Sequence, residues 1–278
     1  MFGIARPFPR IELIASDMDG TMLDSGTRIP EKNRLAVADA IRSGVAVTIS
    51  TGRMYKSALA FAERLGIREV PLICYNGSII RRTNGETLSH VRLDMDVARG
   101  LLDIFRERGI YVQSYIDDEL YVRDFDDQKY IYYYSNFGTA GKSIGDGLYA
   151  PETPPTKLLA MTSGLDASRD LMRELSEIFG DRLYVTTSNA DFVEMMNPEA
   201  SKGKCLRKLA DILGVSMENV MALGDGDNDA EMIKMAGIGV AMANARNSAK
   251  LAADVIAPSN DECGVAWAIE KYVLADRV

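Results

Sequence analysis

At 278 residues and 47% hydrophobic content, the chain can bury one large core or two of ordinary size, which excludes a disordered polymer. Its 32 basic and 40 acidic residues leave a formal charge of −8 with no basic arm, which excludes nucleic acid as an expected partner. Three scattered cysteines, Cys74, Cys205 and Cys263, exclude a disulfide framework, and no apolar run reaches the roughly 18 residues of a membrane span.

The predicted elements begin with a buried strand over 11–16, a helix over 31–43, a strand over 45–50, a helix over 55–65 and a strand over 71–75. Gly44 and Gly66 follow the two helices as stop signals. Short apolar runs alternating with stretches of helical period specify an α/β domain with a mostly parallel sheet. Near residue 79 the pattern changes, and Asn84-Gly85 between β-rich arms signals a hairpin. A helix over 94–108, strands over 110–115 and 120–122, and an aromatic stretch, YIYYYSNF, read as a strand, come next. After a proline-rich break, a strand over 158–162, a helix over 167–179 and strands over 183–187 and 192–196 complete an α+β module with two helices. From 197 the βα alternation resumes, with helices over 204–213, 230–236, 248–253 and 265–273 and strands over 220–223, 238–242 and 255–256.

The expected organisation is therefore a Rossmann-like α/β core, 1–82 and 198–278, interrupted by an α+β module, 83–197. Charge divides the same way: the module has 11 basic and 20 acidic residues, net −9, and the remaining 21 and 20 give +1. The opening stretch is broken by two prolines and does not read as a signal peptide, so the expectation is a cytoplasmic protein, monomer or homodimer, with no membrane partner.

Four short blocks carry polar residues at strand ends. Asp17-Met18-Asp19-Gly20-Thr21 follows the first strand, where open α/β sheets bind ligands. Two carboxylates this close imply a bound cation, a shared proton or two separate tasks, although a turn can also use Asp and Gly for its geometry. Gly224-Asp225-Gly226-Asp227-Asn228-Asp229 follows another apolar strand and offers oxygen ligands to a hard cation. Helix entry explains Asn228 and Asp229 equally well, but not Asp225. Neither block has the glycine and glutamate spacing of an EF-hand, and the second lacks a dinucleotide fingerprint. Thr51-Gly52-Arg53 closes the second strand and can bind an anion or simply cap a helix. Lys202, before the helix bearing Leu206, Leu209 and Leu213, opposes the helix dipole unless an anion lies beside it. His90, the single histidine, has no nucleophile motif near it, and Trp267 reads as core.

With these blocks in order, the sequence resembles the haloacid dehalogenase-like hydrolases, and within them the Cof-type sugar phosphatases with an inserted α+β cap. The likeness is carried by DMDGT, STGR, NPEASKGKCL and GDGDNDAEM, and by CYNGS with Asn76 and Gly77 ahead of the insert. It implies hydrolysis of a small phosphorylated metabolite, with Asp17 as nucleophile and Asp19 as general acid and base. Thr51 and Lys202 would hold the phosphate, with Gly52, Arg53, Asn76, Gly77 and Asn228 on the substrate side. Magnesium would sit on Asp17, the Asp19 carbonyl, Asp225 and Asp229. The cap would close over the site, with Asn189, Asp191 and Glu194 touching the leaving group. The acidity of the insert predicts a preference for neutral or cationic leaving groups such as sugars. Competing readings are a phosphotransferase or mutase using the same aspartates, and a catalytically idle phosphate sensor.

Overall fold

The computed structural model describes residues 9–187 and 189–275, which fall into two compact units. One comprises the chain up to Ser89 together with the chain from Ser201 onward; the other is His90–Ala200. Residues 1–8, the beginning of the opening stretch read against a signal peptide, lie outside the described residues. Among the described residues no helix is long and apolar enough to cross a membrane.

The first unit starts with β1 (Leu13–Ser16), α1 (Glu31–Arg42), β2 (Ala46–Ile49), α2 (Tyr55–Leu65), β3 (Leu72–Cys74), β4 (Ile79–Arg81) and β5 (Thr87–His90). The second contains α3 (Met95–Arg108), β6 (Tyr111–Ile116), β7 (Glu119–Val122), α4 (Gln128–Phe137), β8 (Lys142–Ser143), β9 (Lys157–Met161), α5 (Leu165–Phe179), β10 (Tyr184–Thr187) and β11 (Phe192–Met196). The first unit then resumes with α6 (Lys202–Leu213), β12 (Val220–Gly224), α7 (Ala230–Met235), β13 (Ile238–Met242), α8 (Asn247–Ala252), β14 (Val255–Ala257) and α9 (Gly264–Ile269).

The first unit's main sheet runs β14-β13-β12-β1-β2, every pairing parallel, and a single parallel bridge, Ser50↔Ile73, ties β3 to its edge. All residues of β1 and β12 are buried, as continuous apolar runs in a covered parallel sheet should be. From β1 the chain goes to β2 on one side and reaches β12 on the other only after the second unit. The carboxyl ends of β1, β2 and β12 therefore flank a topological switch point, the crevice where such sheets take ligands.

The Asn84-Gly85 hairpin, assigned by sequence to the insert, forms β4 and β5 in a β3-β4-β5 sheet within the first unit. Because β4 pairs with β3, Cys74↔Ile79 through Leu72↔Arg81, the crossings fall at Ser89–His90 and Ala200–Ser201 rather than at 82–83 and 197–198.

The second unit is built on a six-stranded sheet, β10-β11-β9-β6-β7-β8. One face supplies Val112, Leu158, Ala160, Val193 and Met195 to an apolar core completed by Leu101 and Phe105 of α3 and Leu171 and Leu175 of α5. The aromatic stretch expected as a strand is α4, so the unit holds three helices rather than two. Asp127 caps it by accepting from the Lys129 amide at 2.8 Å, Gly138 ends it at φ 66°, and Tyr130 and Tyr133 bury their rings at helical spacing.

Candidate active site

The β1 ladder continues past Ser16 by one bond, from the Asp17 amide to the Leu223 carbonyl at 2.9 Å, and this places Asp17 at the crevice floor. The chain then turns sharply at Gly20, which is left-handed at φ 79°. A Cβ there would lie 2.4 Å from Asp225 Oδ2, so only glycine lets the loop after β1 approach the loop after β12 this closely. Thr21 completes the contact by donating from Oγ1 to Asp225 Oδ1 at 2.9 Å.

Lys202 is the first residue of α6 and is fully buried. Its Nζ donates to Asp17 Oδ1 and to Asp229 Oδ1, each at 2.6 Å. The unfavourable meeting of a cation with a helix N-terminus is thus balanced by two carboxylates of the chain itself. Asp229 also accepts on Oδ2 from the backbone amides of Asp225 and Gly226, at 2.9 and 2.8 Å. The helix-entry reading fits these amide bonds, and the same side chain also meets Lys202. Lys204 is exposed and takes no part in the cluster.

Asp17, Asp225 and Asp229 present carboxylate oxygens within 4.8 Å of one another. Three carboxylates around one ammonium leave surplus negative charge, which adds to burial in raising proton affinity. Burial pushes the Asp17 carboxyl well above its usual range, with Lys202 opposing and Asp229, Asp225 and Asp19 reinforcing the shift. Asp225 is pushed up to about 6, by burial first and by Asp229 next. Burial works against the Lys202 charge, but Asp17 and Asp229 together outweigh it and raise its pKa, so Lys202 stays an ammonium. An oxygen-only donor set with excess negative charge suits a hard divalent cation.

The Asp19 side chain lies outside this cluster. It is half exposed and paired with Arg53, whose Nε donates to Oδ2 at 2.7 Å and whose Nη2 bonds the other oxygen. Arg53 also covers the Phe61 ring, 5.1 Å from its centroid. Thr51 is buried, and its hydroxyl accepts from the Arg53 amide at 3.1 Å. It closes a local turn rather than capping α2, which starts four residues later at Tyr55. Asn76 is buried and its Oδ1 accepts from Asn228 Nδ2 at 2.9 Å.

The three residues expected on the insert lie in the second unit. Asn189 is exposed and Asp191 half-buried next to the β10–β11 turn, whereas Glu194 is buried and ion-paired with Lys157 at 3.4 Å.

Three asparagines that sequence reasoning passed over hold the loop after β1. Asn33 donates to the Met22 carbonyl at 3.0 Å, Asn244 to Gly20 at 2.8 Å and Asn260 to Leu23 at 2.9 Å. One signal was present: Asn33 sits on the buried face of α1 with Ala36, Val37 and Ala40, where an amide needs a partner.

Residues 14–269 match the family model described as haloacid dehalogenase-like hydrolase. A Bacillus subtilis (strain 168) protein, 5-amino-6-(5-phospho-D-ribitylamino)uracil phosphatase YcsE, is 33% identical over 95% of this chain and 96% of its own length. The chloroplastic endoribonuclease YBEY of Arabidopsis thaliana is 32% identical over 95% of this chain, but the chain spans only 47% of that longer protein. The crystal structure of a haloacid dehalogenase-like hydrolase from Bacteroides thetaiotaomicron superposes with a TM-score of 0.83 at 29% identity, covering 94% of this chain and 99% of that one.

Proposed function

The chain belongs to the haloacid dehalogenase-like hydrolases and is a phosphatase, and on that premise we propose that it hydrolyses the phosphate monoester of a small neutral alcohol or sugar through an aspartyl phosphate on Asp17. The observation that carries this reading is the buried Lys202 ammonium held at 2.6 Å by both Asp17 and Asp229, with Asp225 beside them.

Asp17 attacks phosphorus, and the ester oxygen leaves with a proton from Asp19. Asp19 then takes a proton from the water that attacks the phosphorus of the aspartyl phosphate, which frees inorganic phosphate and restores Asp17. Lys202 and the Thr51 hydroxyl neutralise and orient the phosphoryl oxygens. Arg53, which holds both Asp19 oxygens, fixes the position of that carboxylate. Asp17, Asp225, Asp229 and the Asp19 carbonyl are the groups that would hold magnesium. Bound there, magnesium offsets the repulsion between the carboxylate nucleophile and an anionic substrate.

Two facts support a neutral leaving group. The insert is strongly acidic, which disfavours additional negative charge. The Bacillus relative is named for a substrate whose phosphate sits on an uncharged ribityl chain. A magnesium-supplemented panel of sugar, polyol and nucleoside monophosphates, bisphosphates and phosphorylated acids tests this. The expected result is the highest kcat/KM for a monophosphate with no other negative charge, with phosphate released in the absence of an acceptor. A bisphosphate at the head of the panel, or turnover only when a sugar acceptor is added, would overturn it.

A further inference from the structure

The turn between β3 and β4 holds two consecutive non-glycine residues in the left-handed region, Tyr75 at φ 53° and Asn76 at φ 54°, followed by Gly77 at φ 104°. Such backbone is costly, and it persists where surrounding contacts enforce it. Here those contacts lead to three of the four polar blocks. The Tyr75 amide donates to the Arg53 carbonyl at 3.0 Å and the Asn76 amide to the Thr51 carbonyl at 2.9 Å, so the turn grips the chain on both sides of Gly52. Asn76 Oδ1 lies 3.0 Å from where a Cβ on Gly52 would stand and accepts from Asn228 Nδ2 at 2.9 Å. Gly77 packs against the Ser201 carbonyl, 2.4 Å from its would-be Cβ, and its own carbonyl accepts from Cys205 Sγ at 2.6 Å on the helix that begins with Lys202.

We propose that Asn76 is a positioning residue that sets the spacing between Thr51-Gly52 and Asn228, and through it the affinity of the site for a phosphoryl group. Its amide oxygen accepts from Asn228, and the proposed role runs through that contact. The proposal rests on the reading of Thr51 and Asn228 as phosphate-side groups. The metal-side carboxylates, Asp17, Asp225 and Asp229, are held by Lys202, Thr21 and backbone amides instead, so phosphate and metal affinity should respond differently to this residue.

The test is calorimetric titration of inorganic phosphate into the magnesium-loaded protein, and of magnesium into the metal-free protein, for Asn76→Gly, Asn228→Ala, the double variant and Thr51→Ala. Glycine accepts left-handed backbone, so Asn76→Gly removes the amide while leaving the turn its conformation. The expected result is phosphate Kd raised about tenfold in each single variant, the scale of one hydrogen bond. The double variant should be no weaker than Asn76→Gly or Asn228→Ala alone, because both act through one contact. Magnesium Kd should stay within about twofold of wild type in Asn76→Gly, a selectivity that general loosening of the fold would not produce. Unchanged phosphate affinity in Asn76→Gly beside a loss in Thr51→Ala overturns the positioning role alone, as do additive losses in the double variant. Unchanged phosphate affinity in both Thr51→Ala and Asn228→Ala overturns the phosphate-side reading and this proposal with it.

Discussion

Removing an ammonium group from water costs several kcal/mol even in a relaxed protein, and Lys202 offsets that cost with two carboxylates at 2.6 Å. The compensation runs one way: one ammonium cannot neutralise Asp17, Asp225 and Asp229, so the metal-free site is short of positive charge. Burial first and that shortage second push the Asp225 pKa up to about 6 against a usual 3.8. Between pH about 4 and 6 the native metal-free protein therefore keeps a proton that the unfolded chain has released, and this group's contribution to stability falls as pH rises through that window. Asp225→Asn has no such proton to lose. In EDTA its thermal midpoint should rise relative to wild type between pH 4.5 and 7.5; wild type gaining on the variant over that range would contradict the charge account. The carboxylates and Lys202 were legible in sequence because each stands at the end of an apolar run or the start of a periodic one. Asn244 and Asn260 were not, since they bond backbone carbonyls 224 and 237 positions away, a relation no local pattern encodes; Asn33 showed only its place on an apolar helix face, not its partner.

At the scale of elements, α4 separates propensity from context. Three consecutive tyrosines favour a pleated surface by composition, but β-propensity measures fit to neighbours more than intrinsic preference. Tyr130 and Tyr133 fall on one helical face and are buried there, with Tyr133 6.0 Å from the Phe192 ring and its hydroxyl 3.1 Å from that of Tyr115. Asp127 before the run and Gly138 after it were the readable helix signals, outvoted by the aromatic composition. If the cap sustains the helix, Asp127→Ala should lower unfolding free energy by about 1 kcal/mol in urea titrations. No change in the urea midpoint would show that packing alone holds α4. The alternation of strands and helices in the first unit was plain in sequence where strands such as β1 and β12 are buried throughout and where α1 and α2 are followed by left-handed Gly44 and Gly66. The β4–β5 hairpin went to the wrong unit because an Asn-Gly turn fixes a hairpin but not the sheet that receives it.

Across the whole molecule, the site depends on convergence. Asp17, Thr51, Lys202, Asp225 and Asp229 come from four separated stretches of chain, and the parallel order β12-β1-β2 brings three strand ends together around them. The acidic insert interrupts this assembly in sequence, and Asp17, Lys202, Asp225 and Asp229 all belong to the first unit. What distinguishes this account from a binding protein with the same pocket is a covalent bond to one oxygen of one residue. Rapid-quench turnover of a ³²P-labelled monophosphate, followed in both protein and free phosphate, measures that bond. The account predicts a transient, hydroxylamine-labile label on wild type that is missing from Asp17→Asn, together with a fall of at least roughly a thousandfold in phosphate release by the variant. Phosphate release by Asp17→Asn within tenfold of wild type would contradict it.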